Sequence, residues 1–284
     1  MKLRFPGLAL VLIMLLLFSS LSQRPPATSL SVGGGSVGTG LIVPLYGQFN
    51  ATNGQWDQLV IAKTAHPEIP IVAIVNAANG SGTARDDGYA SAIQKLRTAH
   101  ILVLGYIWTS QGQRPISDVE QDSVNYLNWY DVDGVYFDQM AQQPGMEAYY
   151  SSLTQYAKSL GMVMTVGNPG ASTALSYVGT VDTIVIYETV GPPSLSYLAS
   201  WEKTGFGRQN FAFIAFDVPG FNQTYAKVAA ASVGYMFLTD AKNYFVMPSY
   251  FPEQLSLLQS QLSSPRPALG PWSPAATSIY RQGA

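Results

Sequence analysis

The sequence predicts a single (β/α)8 TIM barrel, and three observations carry that expectation. Apolar runs of strand length alternate with segments of helical period, the mark of a parallel sheet with helices outside it. Eight such alternations follow one another, the number that closes a barrel. No Gly-rich dinucleotide loop follows the first run, which argues against an open doubly wound sheet. The chain has 284 residues, enough for one large domain, since barrels routinely run to roughly 250 residues.

The elements are expected in order across residues 41–262. Strands are read at 41–46, 71–76, 101–107, 133–139, 162–166, 182–187, 211–216 and 234–238. Each is a short apolar run closed by a turn signal or a polar residue. Helices are read at 56–65, 89–98, 117–130, 146–160, 173–177 (short), 194–203, 223–231 and 252–262. Ser117 stands three residues before Glu120, the spacing of a capping box. Phe137 and Phe213 are expected in the core.

The flanks read differently. Lys2 and Arg4 precede an apolar run at 8–18, so residues 1–23 are read as a signal peptide or a membrane anchor. The run falls short of the ~20 apolar residues that span a bilayer. Either reading leaves the globular part secreted or at the cell surface, with a possible membrane tether. Residues 24–40 form a Gly/Ser-rich linker, and 263–284 a Pro-rich tail. Asn50-Ala51-Thr52, Asn79-Gly80-Ser81 and Asn222-Gln223-Thr224 are sequons that suit an exported chain.

Composition removes several function classes. The formal net charge is -2 and charged residues make up 11%, so there is no basic stripe for nucleic acid. Cysteine is absent, which excludes disulfides, thiolate nucleophiles and Cys-ligated zinc. No clustered ligand set stands out, and neither a metal nor a cofactor is expected. Asp86-Asp87 reads as a solvated loop, and His66 and His100 precede strands, away from the expected site.

A barrel places its site at the C-terminal strand ends. Those ends carry Tyr46, Asn76, Tyr106 with Thr109, Asp138, Asn168, Glu188, Asp217 and Asp240. Asp138 and Glu188 each end an otherwise apolar strand, and an acid there is costly unless used or paired. A carboxyl pair, one protonated and one ionised, is what glycoside hydrolysis needs. Tyr46, Tyr106, Trp108, Tyr136 and Tyr187 suit stacking on sugars; Asn76 and Asn168 suit hydrogen bonds to hydroxyl or acetamido groups. Strand-end acids also commonly cap the next helix, and that reading stands beside the catalytic one. Asp133-Gly134 begins like the acidic strand motif of chitinases, but the position of the catalytic Glu falls on Met140, which disfavours that type.

Several pieces then occur in a recognisable order. They are Val43-Pro44-Leu45-Tyr46, Trp56, Ala65-His66-Pro67, Asn76 with Asn79-Gly80-Ser81-Gly82, and Gly105-Tyr106-Ile107-Trp108-Thr109. Gly134-Val135-Tyr136-Phe137-Asp138, Asn168-Pro169-Gly170 and Tyr187-Glu188 follow. With these pieces the chain from about 41 to 262 resembles the spherulin-4-like (spherulation-specific) family. The resemblance implies a (β/α)8 barrel outside the cell. It also implies kinship with fungal endo-acting hydrolases of N-acetylgalactosamine-containing exopolysaccharide (galactosaminogalactan). There the fourth strand ends in Asp-Glu and the sixth in Glu, which map onto Asp138, Gln139 and Glu188. Gln139 is a departure: it can hydrogen-bond a sugar but cannot exchange a proton. Its parity is opposite to that of Asp138, which turns it from the axis.

The expected function is an exported glycoside hydrolase acting on an amino-sugar polysaccharide. Glu188 is the expected proton donor, since its apolar strand should raise its pKa. Asp138 is the expected nucleophile, or the group that orients a substrate acetamido. Should the middle acid be essential, the chain is instead a carbohydrate-binding or coat protein without turnover.

Overall fold

A computed structural model describes residues 38–46 and 54–263. The expected signal segment, most of the linker, the sequon at Asn50 and the tail beyond 263 lie outside the described residues. The strands are β1 (Gly40–Leu45), β2 (Ile71–Val75), β3 (Leu102–Trp108), β4 (Gly134–Asp138), β5 (Met164–Asn168), β6 (Thr183–Val190), β7 (Phe211–Phe216) and β8 (Tyr235–Leu238). The helices are α1 (Gln55–Ala65), α2 (Asp87–Thr98), α3 (Ile116–Tyr130), α4 (Glu147–Ser159), α5 (Leu195–Glu202), α6 (Gln223–Ser232) and α7 (Phe251–Ser263). The strands pair in chain order, all parallel, and β1 pairs with β8 to close the barrel.

The register sorts the side chains. Tyr106, Tyr136, Val166 and Thr183 are Cα partners around the wall and share the inward face. Phe211 and Phe213 have the other parity and are fully buried under the helices, with Trp201 of α5 against the Phe211 ring. Strands buried on both faces read as continuous apolar runs, which is why β1, β2 and β7 look alike in sequence.

Four expectations change in detail. The connection from β5 to β6 carries a 3-10 turn at Leu175–Tyr177 instead of a helix. Strand β5 begins and ends two residues later than expected, so Asn168 lies within it, opposite Asp138. Strand β6 runs to Val190 and takes Glu188 inside it. The capping box is absent: Pro115 holds the N-cap position of α3, and Ser117 lies in the first turn with its hydroxyl on Asp118. Proline suits that helix start because it brings no N–H that needs a partner. The side-chain caps are Asp86 on α2, Ser194 on α5 and Asn222 on α6.

One close approach braces the rim near the site. A Cβ at Gly105 would lie 2.5 Å from the ring of Tyr126 on α3. The Tyr126 hydroxyl in turn donates to the Gly80 carbonyl at 2.8 Å, tying the loop after β2 to the helix layer. Gly105→Ala should therefore destabilise the fold by about 1–3 kcal/mol, as overpacking does. Urea unfolding with an unchanged m-value is the check; an unaltered midpoint would mean that Tyr126 moves aside freely.

Candidate active site

Asp138 and Glu188 meet on one side chain. The Asn168 amide nitrogen donates to Asp138 Oδ1 at 2.8 Å and to Glu188 Oε2 at 2.7 Å. Two bonds of that length to one atom hold the accepting oxygens no more than about 5.5 Å apart, short of the roughly 6.5–9.5 Å between the carboxyl groups of inverting glycosidases. The Gly170 amide donates to Asn168 Oδ1 at 3.0 Å. That bond fixes which end of the amide faces the acids. The second Asp138 oxygen accepts from the Tyr106 hydroxyl at 2.5 Å. Asp138 thus takes a donor on each oxygen, the surroundings of an anion.

Glu188 faces inward because β6 is irregular. Thr183 partners Val166 on the inward face, so regular alternation would turn residue 188 outward. The pairing of β6 with β7 slips between Val185 and Tyr187, leaving Ile186 as an extra residue. Past this bulge the parity reverses, and Glu188 partners Ile214 inside the barrel. The Ile186 carbonyl accepts from the Tyr197 hydroxyl of α5 at 2.5 Å, so the displaced backbone has a partner.

Burial pushes the Glu188 carboxyl up to about 7; the Asn168 bond opposes this and the neighbouring Asp138 adds to it. The site is otherwise walled by phenols. Tyr46 meets Tyr106 edge-on at 5.3 Å, and Tyr106 stacks on Tyr136 at 6.2 Å. The hydroxyls of Tyr46 and Tyr136 are buried close to each other and to the two acids. Burial and then the charges of Glu188 and Asp138 push the Tyr244 phenol up to about 12. Tyr244 also packs edge-on against Tyr46 at 5.7 Å. Sequence reasoning missed Tyr244, which sits in the loop after β8; an aromatic in a loop beyond a strand end was the available signal. A cavity of about 490 Å³ opens beside Glu188, between Gly170–Ser172 and Tyr187, Ser194 and Tyr197.

The other expected residues take different places. Asn76 is part-buried and accepts from the Asn79 amide at 2.7 Å, bracing the loop after β2. Thr109 is fully buried, and its hydroxyl serves the Asp138 and Gln139 carbonyls, so it supports the strand end and does not face a ligand. Tyr136 is fully buried one layer below Asp138. Gln139 leaves β4 with a left-handed φ of 48° and accepts from the Trp108 indole at 2.7 Å. Tyr187 has outward parity and its hydroxyl donates to the Gly191 carbonyl, so it walls the side cavity. Met140 is core, Asp133 serves Arg97 and the Val103 amide, and Asp240 holds Ser249. His66 caps α1 and meets Gln259. Among the described residues no three His, Asp or Glu side chains gather as a metal requires.

The raised Glu188 pKa has a thermodynamic sign. Between the ordinary 4.5 and about 7 the folded state binds a proton that the unfolded chain releases. Stability from this group is therefore greatest below pH 4.5 and falls as pH rises towards 7. The full cost is about 3 kcal/mol. Glu188→Gln should melt higher than the parent at pH 8, with the advantage gone at pH 4. Equal melting at both pH values would contradict the burial.

With the geometry in view, the chain can be set beside known proteins. Residues 40–258 match the model of Spherulation-specific family 4. Spherulin-4 of Physarum polycephalum is 27% identical over 238 residues, covering 78% of this chain and 70% of that protein. The crystal structure of Aspergillus clavatus Sph3 in complex with GalNAc superposes with a TM-score of 0.69 at 22% identity. It spans 79% of this chain and 98% of that one, and shares the barrel fold. The family match covers most of the chain: the protein belongs to Spherulation-specific family 4.

Proposed function

We propose that the protein is an exported glycoside hydrolase acting on an N-acetylgalactosamine-type polysaccharide. The observation that carries this reading is the Asn168 amide shared by two carboxyl groups at the C-terminal mouth of a barrel. The complex of Sph3 with GalNAc supports the choice of sugar. The apolar run behind Lys2 and Arg4 supports export.

The roles follow from the environments. Glu188 holds its proton up to about pH 7, and it gives that proton to the glycosidic oxygen as the bond to the anomeric carbon breaks. Asp138, held by Tyr106 and Asn168, attacks that carbon from the opposite side. Glu188, now ionised, takes a proton from water, whose oxygen displaces Asp138 and restores both groups. The short carboxyl spacing supports retention over inversion. Gln139 has no proton to move and is not needed for either step.

Purified protein incubated with N-acetylgalactosamine-containing exopolysaccharide should release oligosaccharides. Glu188→Gln and Asp138→Asn should each lower the rate by about 10³, and Asn168→Ala by about 10². The rate should fall as pH rises through about 7, where Glu188 loses its proton. Binding of the polysaccharide with no release at any pH would replace this reading with a carbohydrate-binding protein.

A further inference from the structure

Trp108 ends β3 with 38% of its surface exposed, although tryptophan is highly buried on average. It is nevertheless held from several sides. Its indole N–H donates to Gln139 Oε1 at 2.7 Å. Its carbonyl accepts from Arg114 Nη1 at 3.0 Å. Arg114 is anchored on Asp122 at 2.6 Å, and Asp122 accepts from the amide and hydroxyl of Ser81.

Gln139 is pinned as well. Its carbonyl accepts from the Gln111 amide at 2.7 Å and from the Thr109 hydroxyl at 3.0 Å. Its left-handed φ of 48° is a conformation that a residue with a side chain adopts only under constraint. Ordering a long amide side chain and an exposed indole together costs entropy that burial does not recover here. The register pairs Trp108 with Asp138, so the residue stands at the same C-terminal mouth of the barrel as the acids.

We propose that Trp108 is the platform for a sugar ring adjoining the one at Asp138 and Glu188, and that Gln139 is the positioning residue that sets the indole. This rests on the carbohydrate reading of the mouth. An aromatic plane takes the apolar C–H face of a pyranose and leaves the hydroxyls free at the edge. Gln139 acts through Trp108, so any partner that accepts from the indole N–H will serve in its place. A carboxylate is such an acceptor, and a leucine is not.

The test is a titration of N-acetylgalactosamine oligosaccharides into the Glu188→Gln protein, read by tryptophan fluorescence and by calorimetry. A saturable fluorescence change is expected in that background. Adding Trp108→Leu should abolish the change and weaken binding about tenfold. Gln139→Leu should weaken binding several-fold while the fold is retained by circular dichroism, and Gln139→Glu should restore it. Tight binding that Trp108→Leu leaves untouched overturns the platform alone, and a Gln139→Glu protein as weak as Gln139→Leu overturns the positioning role. No binding by the Glu188→Gln protein, with none by the unmutated protein, overturns the carbohydrate reading itself.

Discussion

One amide organises the mouth of this barrel. Asn168 has two hydrogens, and each goes to a different carboxyl group. Its carbonyl is taken by the Gly170 amide, so the side chain cannot flip without losing three bonds at once. Two half-buried acids placed together would ordinarily repel or drift apart. Here a neutral donor stands between them and fixes their spacing, while burial keeps Glu188 protonated near neutrality. The two acids differ in donor count: among the described residues Asp138 accepts hydrogen bonds from Tyr106 and Asn168, and Glu188 accepts one from Asn168.

The amide reaches both acids only because the wall around it is irregular at one point. Strand β6 must turn Glu188 inward, and Ile186 supplies the extra residue that reverses the alternation. Tyr197 of α5 meets the displaced carbonyl, so the outer helix layer helps to hold an inward-facing acid. On the other side of Asp138, Thr109 joins the end of β3 to the end of β4 through two carbonyls. The site is therefore a product of barrel register more than of any local motif.

The architecture was legible in the chain for a plain reason. Strands such as Ile71–Val75 and Phe211–Phe216 are buried on both faces, so their runs are unbroken and their count of eight could be read directly. Asp138, Glu188 and Asn168 were legible as strand-end polar groups among apolar ones. Their connection was not. Nothing in Ile184-Val185-Ile186-Tyr187 marks a bulge, because a bulge is a property of pairing with β7 and not of composition. Thr109 looked like a ligand-facing residue by position, yet its parity turns it into the wall. Ser117 and Glu120 had the spacing of a cap, but Pro115 had already started the helix. Tyr244 escaped notice because loop residues carry no periodicity from which to infer a direction.

The central claim is that Glu188 holds its proton up to about pH 7 while sharing Asn168 with Asp138. Carbon-13 NMR of the glutamate side-chain carboxyls, with the Glu188 signal assigned by its loss in Glu188→Gln, measures this directly. A titration midpoint of about 7 is the predicted result. A midpoint near 4.5, the ordinary value, would show an exposed, independent carboxylate and would contradict the account.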